Sequence, residues 1–202
     1  MLDSGGLRVA SLSSLGYTLF GVPRFKHLYS ADGIPYLDSE DIFKVNPILT
    51  KFIPPIHKKD ADSYYVKPGW LLMACSGQIY GLNGRVILAD AWHENKIVSN
   101  HVVRIVPPHD PDRVPPGYML MALGHPSFGR PLVVRWAFGT EVPEIHPGDL
   151  KDFPVVRLGS DVEREIADQV ERANALRRQA DEEENAVVAE VEQRVATTLG
   201  SG

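Results

Sequence analysis

The C-terminal fifth of the chain constrains its fold most strongly, because its residues are compatible with only one kind of structure. Between Ser160 and Gly200 there is no proline or glycine, and hydrophobic residues recur at intervals of three and four. Ser160 and Glu163 have the spacing of a capping box, and Gly200 is a natural end point. The pattern predicts one uninterrupted helix of roughly 38 residues, about 57 Å long.

The hydrophobic stripe of this helix needs a surface to cover it. Its spacing averages about 3.7 residues per turn, so a long left-handed coiled coil is not strongly indicated. The helix either packs against a partner helix or folds back onto the rest of its own chain. We favour a partner helix, since helices gain most of their stability from a packed face. The residues expected at this contact are Val162, Ile166, Val170, Leu176, Val187, Val191 and Val195.

The rest of the chain predicts a mixed domain of short strands and few helices. Strands are predicted at 34–37, 64–66, 70–75, 84–88, 97–106 and 153–158, and helices at 40–43 and within 117–128, the second ended by Gly124 or Pro126. Strands and helices do not alternate regularly, and the sequence has no internal repeat. We therefore expect an α+β fold, with a mixed-sheet domain over residues 1–158 followed by a long C-terminal helix over residues 159–200.

Charge divides the chain at nearly the same place. Residues 1–160 contain 16 Lys and Arg against 15 Asp and Glu, whereas residues 161–202 contain 5 against 11. The net charge of −5 therefore belongs to the helix, and the first domain is close to neutral. A negative total does not exclude nucleic acid as a ligand, because the field that matters is local to the binding face.

Composition also bounds the cellular setting. The longest hydrophobic run, residues 70–75, is far shorter than the roughly 20 residues of a membrane helix. The first residues lack the basic patch and hydrophobic stretch of a secretory signal. A single cysteine cannot form an internal disulfide, which suits a reducing compartment. We expect a cytoplasmic protein without a membrane partner.

Several short motifs follow one another in a recognisable order. They are GIPYL before a short helix, YYVKPGWLLMACSG, a glycine-rich turn, VSNHVVRI, GYMLMAL, and DLKDFPVV before the long helix. From about residue 24 to residue 199 this order resembles one half of a specificity subunit of type I restriction–modification systems. The resemblance implies a DNA target recognition domain with one spacer helix, where a full subunit has two of each. The recognition module of a related single-chain restriction–methylation enzyme is the alternative.

The resemblance also implies partners. Double-stranded DNA would be the ligand, and a DNA adenine methyltransferase and an ATP-driven restriction subunit would carry the chemistry. S-adenosylmethionine and ATP would bind those subunits and not this chain. The sequence fits this division, since it has no Asn-Pro-Pro-aromatic tetrapeptide and no glycine-rich cofactor loop. The helix would pair with a second copy or another specificity half, and its length would set the gap between two half-sites.

In such a domain, the segment CSGQIYGLNGR at residues 75–85 is the strongest candidate for DNA contact. Its small residues allow a backbone to approach a groove or a phosphate closely. Gln and Asn can pair with adenine and Arg with guanine in the major groove. A plain connector between strands is the alternative. The candidate residues of this segment are Ser76, Gly77, Gln78, Tyr80, Asn83 and Arg85.

Other candidates lie elsewhere in the first domain. Two basic clusters, around Arg24 and Lys26 and around Lys58 and Lys59, could contact phosphates, which gives affinity without sequence information. An ordinary solvated surface explains each cluster equally well. Two polar residues could contact bases, with Glu141 accepting a hydrogen bond from cytosine. They are Asn100 and Glu141.

An enzymatic alternative involves the only cysteine and its neighbour. Ser76 or Cys75 could act as the nucleophile of a small hydrolase with His101 as base, oriented by Asp90. No G-x-S-x-G motif supports this interpretation. Cys75 ends a hydrophobic run, where cysteine usually behaves as a small buried side chain. The histidines lack metal-binding spacing, so we expect no metal site.

Overall fold

The computed structural model describes residues 8–24, 29–56 and 61–200. The strands of these ranges are β1 (Arg8–Ser11), β2 (Thr18–Phe20), β3 (Ile34–Leu37), β4 (Phe52–Ile53), β5 (Leu71–Ala74), β6 (Val86–Leu88), β7 (Ile97–Val98), β8 (Val102–Val106) and β9 (Pro154–Arg157). The α-helices are α1 (Pro116–Gly124), α2 (Gly129–Val134), α3 (Pro147–Leu150) and α4 (Ser160–Gly200). Short 3-10 turns occupy Asp41–Phe43, Ala61–Tyr64 and Ala91–His93.

The described strands form three small sheets in the region before α4, which we call the head. The central sheet has the order β2-β8-β5-β6 and is antiparallel. β1 pairs with β9, and the third sheet has the order β4-β3-β7, in which β3 and β7 are parallel. Mixed sheets followed by one long helix confirm the predicted α+β fold.

The central sheet is buried on both faces, which explains the continuous hydrophobic run of β5. Leu71 and Met73 pack into the larger core with α1, α2 and β9, whereas Leu72 packs into a second core on the opposite face. Successive side chains of a strand point to opposite faces, so a strand covered on both sides has no polar positions. All four residues of β5 are buried.

Two sequence expectations about strands are wrong. The predicted strand at 64–66 is not paired with β5; Tyr64 ends a 3-10 turn, and Tyr65 forms a single bridge to Ile97. The predicted strand at 97–106 divides into β7 and β8, which join different sheets. A local pattern of β-branched residues indicates extended backbone but not the sheet that the backbone joins.

Arg104 explains how the chain crosses from β7 to β8 inside the core. Its guanidinium is fully buried and donates hydrogen bonds to the carbonyls of Ser99 (2.9 Å), Val98 and Val102. A buried turn would otherwise leave these carbonyls unpaired. Burial lowers the pKa of Arg104 to about 10, which leaves it charged at neutral pH. The sequence reasoning assigned no role to this residue.

The first half of α4 packs on the head. A Cβ atom added to Gly117 of α1 would lie 2.8 Å from the Cα of Ala167, so the two helices touch backbone to backbone. The Glu163 carboxylate accepts hydrogen bonds from both Nε and Nη2 of Arg157 (2.8 Å each) and from the Leu158 amide (2.9 Å). These contacts fix the angle at which β9 enters α4.

Further along α4, Arg178 connects the helix to the 3-10 turn at Ala91–His93. Its guanidinium lies 3.2 Å from Asp90 and 5.0 Å from the centre of the Trp92 ring. Asn46 then bonds Glu184 and Asn185. Within the described ranges, no helix is both long enough and apolar enough to cross a membrane.

Candidate nucleic-acid interface

The segment 75–85, which we call the glycine loop, connects β5 to β6 and lies against residues 138–144. Gly77 donates its amide to the carbonyl of Pro143 (3.2 Å), and Ile145 donates to the carbonyl of Cys75 (2.7 Å). Ser76 and Glu144 form an antiparallel bridge. The two segments are therefore one structural unit, which places Gln78 beside Glu141, with 3.4 Å between Gln78 Nε2 and the Glu141 carbonyl.

Asn83 holds this unit together from inside. The side chain is completely buried, and its Nδ2 donates to the carbonyls of Gly77 and Pro143, both at 2.9 Å. The sequence interpretation of Asn83 as a base-contacting side chain is therefore corrected, since both amide hydrogens are used within the protein. A polar side chain in a loop can point into the protein or out to solvent, and its position in the sequence alone does not distinguish these orientations.

Arg130, at the start of α2, fixes the outer part of the glycine loop. Its Nη2 donates to the carbonyls of Ile79 (2.9 Å), Gly81 (2.7 Å) and Asn83 (3.1 Å). The sequence reasoning missed this residue because it lies more than forty positions from the carbonyls it binds. No local pattern could have identified it.

Gly84 is required where the loop returns to β6. Its φ is +74°, a conformation that favours glycine, and an added Cβ would lie 2.8 Å from Cγ1 of Val134. Gly84 therefore serves the close packing of the loop on α2. That role differs from the close approach to DNA that the sequence suggested for the glycines of this loop.

The loop presents a small set of side chains to solvent. Gln78 and Tyr80 are exposed, and Tyr80 is 84% accessible. Arg85 is exposed with its guanidinium 5.1 Å from the centre of the Phe43 ring. Glu141 is exposed beside Gln78. Gln78, Tyr80 and Glu141 therefore lie on the surface that the two loops form, whereas Arg85 lies at the end of the glycine loop against Phe43.

The remaining predicted contacts are distributed differently. Ser76 and Gly77 are half-buried at the base of the loop. Asn100 is half-buried in the turn between β7 and β8, next to the residue that bonds Ser76. Arg24 is exposed after β2, away from the glycine loop in the sequence. The predicted contacts Lys26, Lys58 and Lys59 lie outside the described residues.

The structure does bring Ser76 and His101 together, with 2.8 Å between Ser76 Oγ and His101 Nδ1. The rest of a hydrolase site does not assemble around them. Asp90 bonds His93 and Arg178 instead of orienting His101. The Gly77 amide, which could stabilise an oxyanion, already donates to a carbonyl. The pair ties β5 to the β7–β8 turn.

Cys75 is not an activated nucleophile. Burial, together with the charge of Glu144, raises the pKa of its thiol to about 11. The thiolate is the reactive form of cysteine, and at neutral pH this thiol remains protonated. Among the described residues, no group of His, Cys, Asp and Glu side chains could hold a metal ion.

Comparison with known proteins identifies the fold. No family model and no curated protein matches the sequence. Among solved structures, the S subunit of a type I restriction–modification system from M. genitalium is 18% identical, with a TM-score of 0.56 over 84% of this chain and 39% of that chain. The HsdS subunit from Thermoanaerobacter tengcongensis is 15% identical, with a TM-score of 0.53 over 89% of this chain and 41% of that chain.

A third structure, which concerns complex assembly and conformational transition of the type I R-M system, is 13% identical, with a TM-score of 0.50 over 96% of this chain and 45% of that chain. This chain thus spans less than half the length of each of these three structures. Because 84% or more of this chain is covered, the matches include the head and part of α4. The chain therefore has the fold of one half of a type I S subunit, as its sequence motifs predict.

Proposed function

We propose that this chain is the DNA-recognition half of a type I restriction–modification specificity subunit. The observation that carries the proposal is the shared fold, a head and a following helix that match the S subunit from M. genitalium over 84% of this chain. In this function the head binds one half of a bipartite DNA target. The division into a head of residues 1–158 and an arm of residues 159–200 follows the same scheme.

The surface of the glycine loop and residues 138–144 is the proposed base-reading face. Gln78 can pair with adenine, Arg85 with guanine, and Glu141 can accept from cytosine. Arg130 fixes the loop backbone between Gln78 and Arg85, so the cost of ordering this loop on binding is reduced. Arg24, Lys26, Lys58 and Lys59 would contact phosphates and set the register of the head on the duplex.

The arm is proposed to pair with the arm of a second copy or of another specificity half. Charge favours an antiparallel pair. In a parallel pair the acidic run at 181–184 would face its own copy, which is unfavourable. In an antiparallel pair of the exposed second halves, residues 182–199, the same run lies opposite the Thr-Thr-Leu end of the partner helix instead of its own copy. Two heads would then lie at opposite ends of the pair.

Catalysis is proposed to reside in partner subunits. A DNA adenine methyltransferase would use S-adenosylmethionine, and an ATP-driven subunit would cut DNA. The support is that one matching structure comes from a study of type I R-M complex assembly. The complex would act in the cytoplasm, where the chromosome and foreign DNA are both accessible.

The first test of this proposal separates affinity from specificity. The change Lys58→Ala with Lys59→Ala should weaken binding to every duplex and reduce its salt dependence, because fewer counterions are released. Gln78→Ala or Arg85→Ala should instead change which duplex is preferred. Fluorescence anisotropy over a salt series measures both effects. If both classes of variant behave alike, the assignment of the two surfaces is wrong.

A further inference from the structure

We infer that Ile79 and Tyr80, which we call the wedge, enter a groove of the duplex and open a base step. The inference rests on the proposed DNA-binding function and adds a mode of recognition to it. The target would then be selected partly by how easily its base pairs unstack, in addition to the base edges that Gln78 and Arg85 contact.

The wedge is held rigidly by hydrogen bonds of its backbone. Arg130 binds the carbonyls on both sides of Tyr80, those of Ile79 and Gly81. Gly81 donates its amide to Gln78 (2.9 Å), which closes a tight turn around the wedge. A side chain on a fixed turn can separate two stacked base pairs, whereas a side chain on a flexible loop would be displaced by them.

The carbonyl groups of the loop are largely bonded within the protein. The carbonyls of Ile79, Gly81 and Asn83 accept hydrogen bonds from Arg130. The amides of Gly77, Gly81 and three further positions donate within the protein. These are Gly84 to Ala74, Arg85 to Leu82 and Cys75 to His101. Contact at the tip can therefore come from its side chains and from the amides of Gln78, Ile79 and Tyr80, which have no partner among the described residues.

The side chains of the wedge are apolar and aromatic. Tyr80 is the most exposed aromatic residue of the two loops, and Ile79 beside it is 48% exposed. Phe138 and Val142, from the adjoining segment, are exposed as well. Apolar and aromatic side chains at a protruding tip are the type that proteins insert between base steps. Aromatic rings also stack on bases of any sequence.

The neighbours of the wedge favour a duplex over a protein partner. Gln78 precedes it directly, and Arg85 is exposed at the end of the same loop. A base-pairing amide next to the hydrophobic tip and a cation at the end of the loop suit a groove lined by bases and phosphates. A protein partner for this tip is the competing outcome of the test below.

The experiment uses the full-length chain and a duplex enriched from a randomised library, with 2-aminopurine at successive adenine positions. Unstacking of 2-aminopurine raises its fluorescence. We expect a rise at one position with the wild-type protein and with Tyr80→Phe, which keeps the ring. Tyr80→Ala should lose the rise and bind about tenfold more weakly or worse. Ile48→Ala, at an exposed isoleucine on another loop, is the matched control for Ile79→Ala.

Three results overturn the inference while the proposed function stands. One is tight binding by the wild type without any rise in fluorescence. Another is a rise that Tyr80→Ala retains. The last is a Tyr80→Ala variant that binds DNA normally but no longer binds a methyltransferase, which would make the tip a protein-binding surface. Failure to enrich any duplex would instead contradict the proposed function itself.

Arg130 provides a second, independent measurement. Arg130→Met should weaken DNA binding several-fold in the wild-type background and leave the affinity of the Tyr80→Ala variant nearly unchanged, because Arg130 acts by positioning the wedge. Circular dichroism establishes that each variant is folded. Arg130→Lys, which keeps the charge without the planar fork, should behave like Arg130→Met. Equal losses in both backgrounds would contradict the role of Arg130 as a positioning residue.

Discussion

The two halves of α4 are parts of one helix but have different surroundings. In residues 160–181, Glu163, Ala167 and Asp181 are buried against the head, and Ile166 packs against its larger core. In residues 182–199 every residue is exposed. The predicted hydrophobic stripe therefore does not form one surface. Folding back on the head is confirmed for the first half, and partner packing stays a proposal for the second.

The two halves of α4 differ in the contacts that hold them to the head. The first half is held by a backbone contact at Gly117 and by the charged groups of Glu163 and Arg178. The second half is joined to the head only near its start among the described residues, where Asn46 bonds Glu184 and Asn185. Its exposed stripe consists of Val187, Val188, Val191, Val195 and Leu199.

The largest expected effect concerns the second half. Val191→Asp should weaken pairing between arms at least about 100-fold, or roughly 3 kcal/mol, because it places a charge in a hydrophobic seam. The stability of the head should not change. Sedimentation equilibrium measures the association, and Gln193→Asp, on the opposite side of the helix, is the control. A wild-type chain that stays monomeric would contradict pairing with a second copy.

A smaller effect is expected where the first half touches the head. Gly117→Val should lower the free energy of unfolding by about 1–3 kcal/mol, because its side chain would overlap the backbone of Ala167. Gly148→Ala is the matched control, since an added Cβ there meets no atom within 4 Å. Urea denaturation measures both. Equal stability of the two variants would show that α1 and α4 are not in close contact.

Each half of α4 carries a glutamate that pairs with an arginine, so the contributions of the two ion pairs to stability can be compared directly. Glu163→Gln should lower the free energy of unfolding by about 2 kcal/mol, because the carboxylate is buried against Arg157. Glu190→Gln should lower the free energy of unfolding by less than about 0.5 kcal/mol, because its partner Arg194 is exposed. Thermal denaturation at fixed pH tests the difference. Similar losses would mean that the first half is not anchored by charge.

The smallest effect is a pH dependence at Asp90. Burial alone would raise the pKa of this carboxyl, but the hydrogen bond from His93 and the charge of Arg178 outweigh burial and lower the pKa to about 2. Because its pKa is lowered, the ionised carboxyl stabilises the folded state at pH values above the ordinary pKa of 3.8. That contribution is lost as the pH falls toward 2. After allowance for partial exposure, the loss is roughly 1 kcal/mol.

Asp90→Asn should remove this dependence, and Asp168→Asn, at an exposed position of α4, should leave it intact. Denaturant midpoints between pH 4 and pH 2 provide the measurement. An unchanged pH profile in Asp90→Asn would mean that Arg178 does not hold α4 through this carboxylate.

The features that were predicted best from the sequence are those that depend on a local pattern, such as the bounds of helices. The bounds of α4 follow from the absence of glycine and proline between Ser160 and Gly200, and the bounds of α1 from a hydrophobic run ended by Gly124. Pairing of strands was not predictable, since 97–106 joins two sheets through a buried Arg104. The energy of such pairing depends on residues distant in sequence.

The candidate site shows the same limit. Glycine spacing identified the loop at 75–85, and Gln78, Tyr80 and Arg85 are exposed there. The inward orientation of Asn83 and the role of Arg130 were not predictable, because both depend on residues brought together only by folding. Which residues contact DNA stays a prediction.

Selection from a randomised duplex library tests the central claim most directly. The chain is used alone and together with the proteins encoded by its neighbouring genes. The account predicts enrichment of a split motif, symmetric if two copies pair through their arms, in at least one of the two experiments. Absence of any enriched sequence in both would contradict DNA recognition by this fold.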